Sequence, residues 1–223
     1  MFVRVTADPA SRPNTLGVLG MESSSNPIVN LSEFNYKKGT EIYGEKEPAE
    51  YVYQVKMGAV RSYKLLSDGR RQIGAFHLAG DVFGLDPGTA HRLTAEAISD
   101  TTVRLVKRRS LEVAAGSNVK VAHHLWTMTA GDLRHAEDHM LLLGRKTAME
   151  KVATFLLEMD RRLAKAGIMA LPMCRRDIGD YLGLTLETVS RALSQLNDQG
   201  ILVFSSARQI VLRNRQRLAD MDA

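Results

Sequence analysis

The sequence predicts an α+β chain. An N-terminal antiparallel β-roll of jelly-roll type leads into a long dimerisation helix and then a C-terminal winged helix-turn-helix. Three observations predict this order. Short alternating apolar runs, broken by frequent glycines, fill the stretch from Phe34 to Val113, as in antiparallel rolls and barrels. An apolar heptad then runs through three repeats. A helix–glycine–helix pattern with two short apolar runs behind it closes the chain. The expected divisions are a flexible tail at 1–32, the roll at 33–116, the dimerisation helix at 117–144 and the winged domain at 145–223. A length of 223 residues suits two modest domains.

The tail is expected to be flexible because Pro9, Pro13, Pro27 and the polar cluster Ser23–Asn26 leave no apolar period. In the roll, Tyr51–Val55 reads as a strand, and Ala59–Leu65 follows a turn at Met57-Gly58. Ser67-Asp68-Gly69-Arg70 is a hairpin signal, because glycine supplies the positive φ that a tight turn needs. Gln72–Leu78 is the return strand, and Thr101–Val106 is another.

From Asn118 to Leu143, the residues Ala122, Trp126, Thr129, Leu133, Ala136, Met140 and Leu143 recur at spacings of four and three. Such a seam suits a helix–helix dimer; the competing reading is a long core helix within one chain. The next helix, about Lys146 to Lys165, gathers Ala148, Val152, Phe155, Leu156 and Met159 on one face. Gly167 ends it and Pro172 follows.

Residues 175–200 hold the chemistry. A short helix buries Ile178, Tyr181 and Leu182, and Gly183 breaks it. A second starts at Thr185, which can cap it, and buries Val189, Ala192, Leu193 and Leu196. Glu187, Ser190 and Arg191 then lie at i, i+3, i+4 near its N-terminus, where a recognition helix meets base edges. Arginine can bond guanine twice, a carboxylate accepts from a base amine, and a serine hydroxyl pairs with several bases. The competing reading is a solvated face with a Glu187–Arg191 ion pair. Leu186 and Thr188 are further contacts of the same helix. Arg175, Arg176 and Arg208 are the candidates for phosphate, Arg208 standing at the tip of a wing formed by Ile201–Phe204 and Gln209–Leu212.

Charge points the same way. The net charge is +5. Residues 144–223 hold 13 basic and 9 acidic residues and so carry +4 of it, a weak mark of a polyanionic partner. No run approaches the ~20 apolar residues of a membrane span, and no secretory leader is visible, so a cytoplasmic chain without a membrane partner is expected. The one cysteine, Cys174, excludes an internal disulfide and a thiolate cluster. His135 and His139 have metal-compatible spacing but no third ligand, so a solvated helix face is the expected reading and no metal is assigned. No phosphate loop, Gly-x-Ser-x-Gly or His-Glu-x-x-His motif is present, so no enzyme is expected.

Residues Asp177–Thr185, followed by Glu187-Thr188-Val189-Ser190-Arg191, resemble the reading head of the CRP/FNR superfamily of bacterial transcription regulators. Gly74–Asp81 is similar to the roll of its FNR-like members. The resemblance runs from about Phe34 onward. It implies an inverted repeat of TTGAT-type half-sites, bound by a homodimer. Two departures narrow the branch. The N-terminal region has no cysteines for an iron–sulfur cluster. Leu85 follows Gly84 where cyclic-AMP binders carry glutamate, and Leu93 follows Arg92 where they carry a hydroxyl residue.

The remaining resemblance is to the FixK-like branch, whose members imply effector-independent activation of microoxic respiration, nitrogen-fixation or denitrification genes, with no cofactor. Cys174 stands where that branch carries a redox-sensitive cysteine. Arg175 and Arg176 favour its thiolate, and oxidation would add polarity or negative charge near phosphate. The resemblance also implies that Arg70 and Arg71, at the roll hairpin, touch RNA polymerase. The alternatives are a regulator gated by cyclic nucleotide or haem, with His77 as a conceivable haem ligand, and a DNA-independent helical interaction module.

Overall fold

The computed structural model describes residues 32–163, 167–206 and 208–221. The expectation for the tail lies outside these residues, except that Ser32 already opens a strand. The roll is made of β1 (Ser32–Tyr36), β2 (Glu41–Tyr43), β3 (Tyr51–Met57), β4 (Ala59–Leu65), β5 (Arg71–Leu78), β6 (Val82–Phe83), β7 (Thr94–Ala97) and β8 (Thr101–Lys107). They form two four-stranded sheets, ordered β1-β8-β3-β6 and β2-β7-β4-β5. Every pairing is antiparallel.

The turn between β3 and β4 needs its glycine. Gly58 has φ +90°, and a Cβ there would lie 2.5 Å from the Asp100 carbonyl oxygen. Between the sheets the interior is aromatic. Tyr43 stacks on His91 at 3.6 Å and Tyr53 on Phe83 at 5.2 Å, with Val55, Val60, Ala95 and Val103 filling the rest.

After the roll come α1 (Arg108–Ser117) and α2 (Val119–Arg145). The Asn118 side chain caps α2 by accepting from the Lys120 and Val121 N–H groups. The face of α2 bearing Val121, His139 and Leu142 is buried against its own chain. The heptad face is not: Trp126 is 73% exposed, Leu133 60% and Met140 65%. Leu143, at the end of the heptad, is half-buried and Ala122, Thr129 and Ala136 are exposed.

The remaining elements are α3 (Ala148–Leu163), β9 (Ile168–Ala170), α4 (Arg175–Leu182), α5 (Leu186–Asp198), β10 (Leu202–Ser206), β11 (Gln209–Leu212) and α6 (Arg215–Asp220). The wing is a three-stranded sheet ordered β10-β11-β9, one strand more than the sequence pattern suggests. One continuous core ties this part to the roll. Ile73, Phe76 and Leu78 on β5 pack with Phe155, Leu156, Met159, Tyr181 and Leu182. Each large apolar side chain buried there contributes roughly 1.5–3 kcal/mol.

Candidate nucleic-acid interface

The turn between α4 and α5 is fixed by two glycines. Gly183 takes the left-handed conformation at the end of α4, with φ +64°. Gly179 lies against the turn itself, because a Cβ there would sit 2.7 Å from the Leu184 carbonyl oxygen. Thr185 caps α5 by accepting the Thr188 N–H at 3.1 Å. Val189, Ala192, Leu193 and Leu196 are all buried, as their spacing requires. That locks the rotation of α5 about its axis. Glu187 and Arg191 are therefore exposed near its N-terminus, and Thr188 and Ser190 are half-buried beside them. Leu186 is partly exposed at the first position of the helix.

Glu187 does not form the contact ion pair with Arg191 that the competing reading supposes. Its own backbone N–H and the Thr185 hydroxyl hold its carboxyl below the usual range, and Arg176 and Arg191 act on it only through space. The Thr188 hydroxyl lies 3.0 Å from that of Thr185, within the cap.

The flanking arginines differ in their surroundings. Arg176 and Arg208 are exposed, and Arg208 reaches the Pro172 carbonyl at 3.5 Å. Arg175 lies over the Phe204 ring at 5.3 Å, so it also packs α4 against the wing. Cys174 is exposed immediately before α4. Its thiol donates to Asp177 Oδ2 at 3.1 Å, and its N–H donates to the same oxygen at 3.1 Å. The arginine-flanked thiol of the sequence reading is thus bonded to a carboxylate.

Two expectations need correction. Arg70 is exposed and closes its own turn on Asp68 at 2.7 Å, but Arg71 is not a second surface arginine. Its side chain is 18% exposed and pairs with Asp177 and Asp180 of α4, each at 2.7 Å. His139 is not on a solvated face. It is buried, its Nε2 lies 2.9 Å from the Tyr181 carbonyl oxygen, and its ring stacks on Tyr181 at 4.1 Å. No group of three residues suited to a metal occurs among the described residues.

His77, the conceivable haem ligand, is committed elsewhere. Its Nε2 lies 2.8 Å from Ser62 Oγ, and its ring stacks on Phe83 at 4.9 Å. Burial pushes its pKa down to about 4.

Residues 150–221 match the Crp-like helix-turn-helix domain, and residues 33–118 match the cyclic nucleotide-binding domain. The nitrogen fixation regulation protein FixK of Azorhizobium caulinodans is 42% identical, over 98% of this chain and 86% of its own. The chain belongs to the CRP/FNR family. Its place there is FixK-like, and it is a DNA-binding transcription regulator. The FixK of Rhizobium meliloti is 39% identical over 83% of this chain and 85% of its own. The solved structure of FixK2 from Bradyrhizobium japonicum is 80% identical, with a TM-score of 0.86 over 87% of this chain and 98% of that one.

Within this FixK-like regulator the space between the two sheets is filled by Tyr43, Tyr53, Val55, Val60, Phe83, Ala95 and Val103. Where the β1-β8-β3-β6 sheet meets α1 and α2, a cavity of about 10 Å³ lies among Val52, Val82, Val106, Leu111 and Leu125, far below the ~300–1,000 Å³ of a small-molecule site. Arg92, the residue aligned with the family's arginine, is exposed, and its N–H donates to Asp86 Oδ1 at 3.2 Å. A larger cavity of about 360 Å³ lies where β5 and β6 meet α2 and α3, lined by Phe76, His77, His124, His135 and Arg162 among others.

Sequence reasoning missed Arg61, Asp177 and Asp180 as polar partners across the junction of roll and helix-turn-helix. The sequence signal was faint: Asp177 and Asp180 are three apart, so they share one flank of α4.

Proposed function

We propose that this chain binds an inverted repeat of TTGAT-type half-sites as a homodimer, needs no small-molecule effector, and activates genes of microoxic respiration, nitrogen fixation or denitrification. The observation that carries the reading is the N-terminal turn of α5. Its buried stripe leaves Glu187 and Arg191 exposed side by side, out of contact pairing, with Ser190 between them. Arginine and carboxylate set together there suit base reading. The names of the FixK relatives support nitrogen fixation among these gene classes.

The exposed heptad face of α2 supports the homodimer, since a stripe holding Trp126, Leu133 and Met140 needs a partner surface. A twofold dimer sets two recognition helices about one DNA turn apart, which calls for a palindrome. Arg70 remains as the polymerase-contact candidate of the hairpin, and the chain works in the cytoplasm.

Titration of reduced, air-purified protein into a labelled TTGAT–four-base–ATCAA duplex and a scrambled control tests the reading. Selective binding without added ligand is expected. Equal weak binding to both duplexes would sink it.

Cys174 is the redox element of the reading. Peroxide converts R–SH to R–SOH and water, and a second equivalent gives R–SO₂H and water, which ionises. Peroxide should weaken operator binding, and Cys174→Ser should abolish that effect; an effect that survives the substitution removes Cys174 from the scheme. A second reading has one observation in its favour. The 360 Å³ cavity is large enough for a small ligand, and operator affinity that rises with a cell-extract small-molecule fraction would favour ligand gating.

A further inference from the structure

Two roll arginines reach across to α4. Arg61 on β4 and Arg71 on β5 stand beside the Tyr63 ring, at 5.7 and 5.4 Å from its centre. Arg61 Nη1 donates to Asp177 Oδ1 at 2.5 Å, and its Nη2 to Glu96 Oε1 at 2.7 Å. Arg71 Nη2 donates to Asp177 Oδ1 and Asp180 Oδ2, both at 2.7 Å, and its Nε to Asp180 Oδ2 at 2.9 Å. The Asp177 side chain is 5% exposed. Gln72 adds a bond from its Nε2 to the Tyr181 carbonyl at 3.3 Å. Asp177, Asp180 and Tyr181 lie at i, i+3, i+4, so the roll grips one flank of α4.

The apolar contact beneath this network, Phe76 against Tyr181 at 5.2 Å and against Phe155 at 6.3 Å, sets the angle less sharply, because burial of apolar area is non-directional. Forked arginine–carboxylate pairs are directional. The covalent route from α2 to α3 passes through Lys146 and Thr147, which are not helical. A break there leaves the bearing of α5 relative to α2 to be set by the non-covalent contacts. On a palindrome that bearing has a direct correlate. One added base pair shifts a half-site by roughly 3.4 Å and turns it by about 35°.

We propose that Arg61 and Arg71 are positioning residues that set which half-site spacing the regulator accepts. They touch no base. They fix the angle at which each recognition helix meets the groove, and so make one spacer fit and its neighbours fail. This rests on the homodimer–palindrome reading above.

The test uses the full chain against TTGAT–ATCAA duplexes with spacers of three, four and five base pairs, and against a four-base-pair duplex with one mismatched half-site. Wild type should favour the four-base spacer by about 100-fold. Arg71→Leu should cut that preference to below about 10-fold while leaving the penalty of the mismatch unchanged. Arg71→Lys, which keeps one donor for Asp180, should restore part of the preference. Asp180→Asn, a near-isosteric change outside the DNA-facing residues, should shift the profile the same way by a smaller factor, and it covers the case in which Arg71→Leu does not fold. An unchanged spacer profile in a folded Arg71→Leu or Asp180→Asn overturns the proposal alone. A parallel loss of spacer and mismatch discrimination also overturns it, since that is general loosening. A wild type that favours no spacer overturns the palindrome reading and takes this proposal with it.

Discussion

Arg191 sits one helical turn after Glu187, and the two face solvent from the same flank of α5. Arg191→Ala should cost ~1–3 kcal/mol per half-site and relax preference at one base pair, measured by titrating single-substitution operators. Arg176→Ala and Arg208→Ala should act differently. Each should weaken all sequences alike and lower the slope of log affinity against log salt by about one per lost phosphate contact. The buried histidines give a pH prediction. Burial holds His77 at about 4, below the ordinary 6.5, and lowers His139 as well. Below pH 6.5 the unfolded chain takes up protons that the folded chain refuses. Stability should therefore be full above about pH 6.5 and should fall as pH drops toward 4. Urea midpoints at several pH values check this, and His77→Gln, which can keep a bond to Ser62, should flatten the acid limb.

Among the elements, the helices were the most legible in the sequence. The buried stripe of α5 and the heptad of α2 repeat over several turns, so each pattern is sampled many times. The strands at Ala59–Leu65 and Thr101–Val106 were legible for the same reason. β6 has two residues and β2 has three, too few to alternate, and α1 escaped notice because only Leu111 and Ala114 mark its buried face. Glycines were only half legible. Gly183 advertises itself as a helix breaker, yet a Cβ there would meet only the Leu143 side chain at an ordinary 3.5 Å. Gly179, inside α4, is the tighter position, because its neighbour is backbone. Gly179→Ala should lower stability by about 2–3 kcal/mol and Gly183→Ala by about 1 kcal/mol, ranked by thermal melting.

For the whole molecule, the sequence pattern gave the parts and their order but not their junction. Arg71 and Asp177 are 106 residues apart, and no periodicity links positions so distant. The sequence around Arg71 suggests a surface residue because its neighbours are turn residues; its partners come from another domain. The burial of His139 is hidden from the sequence for a related reason. The heptad identifies one face of α2, while the buried face is decided by the roll and by Tyr181. The exposed face yields a prediction for the assembly. Leu133→Asp should leave each chain folded, shift sedimentation toward the monomer and reduce palindrome affinity by at least 100-fold, with single half-site affinity nearly unchanged.

The pairing proposed for the bare stripe along α2 would also shape how such a regulator responds to supply. Wherever free chain lies below its dimer dissociation constant, paired chain rises as the square of copy number. Doubling synthesis then quadruples the species that occupies a palindrome, and a modest rise in proteolysis silences it just as steeply. On the proposed effector-free reading, with Tyr43, Tyr53, Phe83 and His91 stacked inside the roll, abundance itself becomes the input. A reporter driven from the operator should climb with a slope near two on a log–log plot against chain concentration, and flatten to one once pairing saturates.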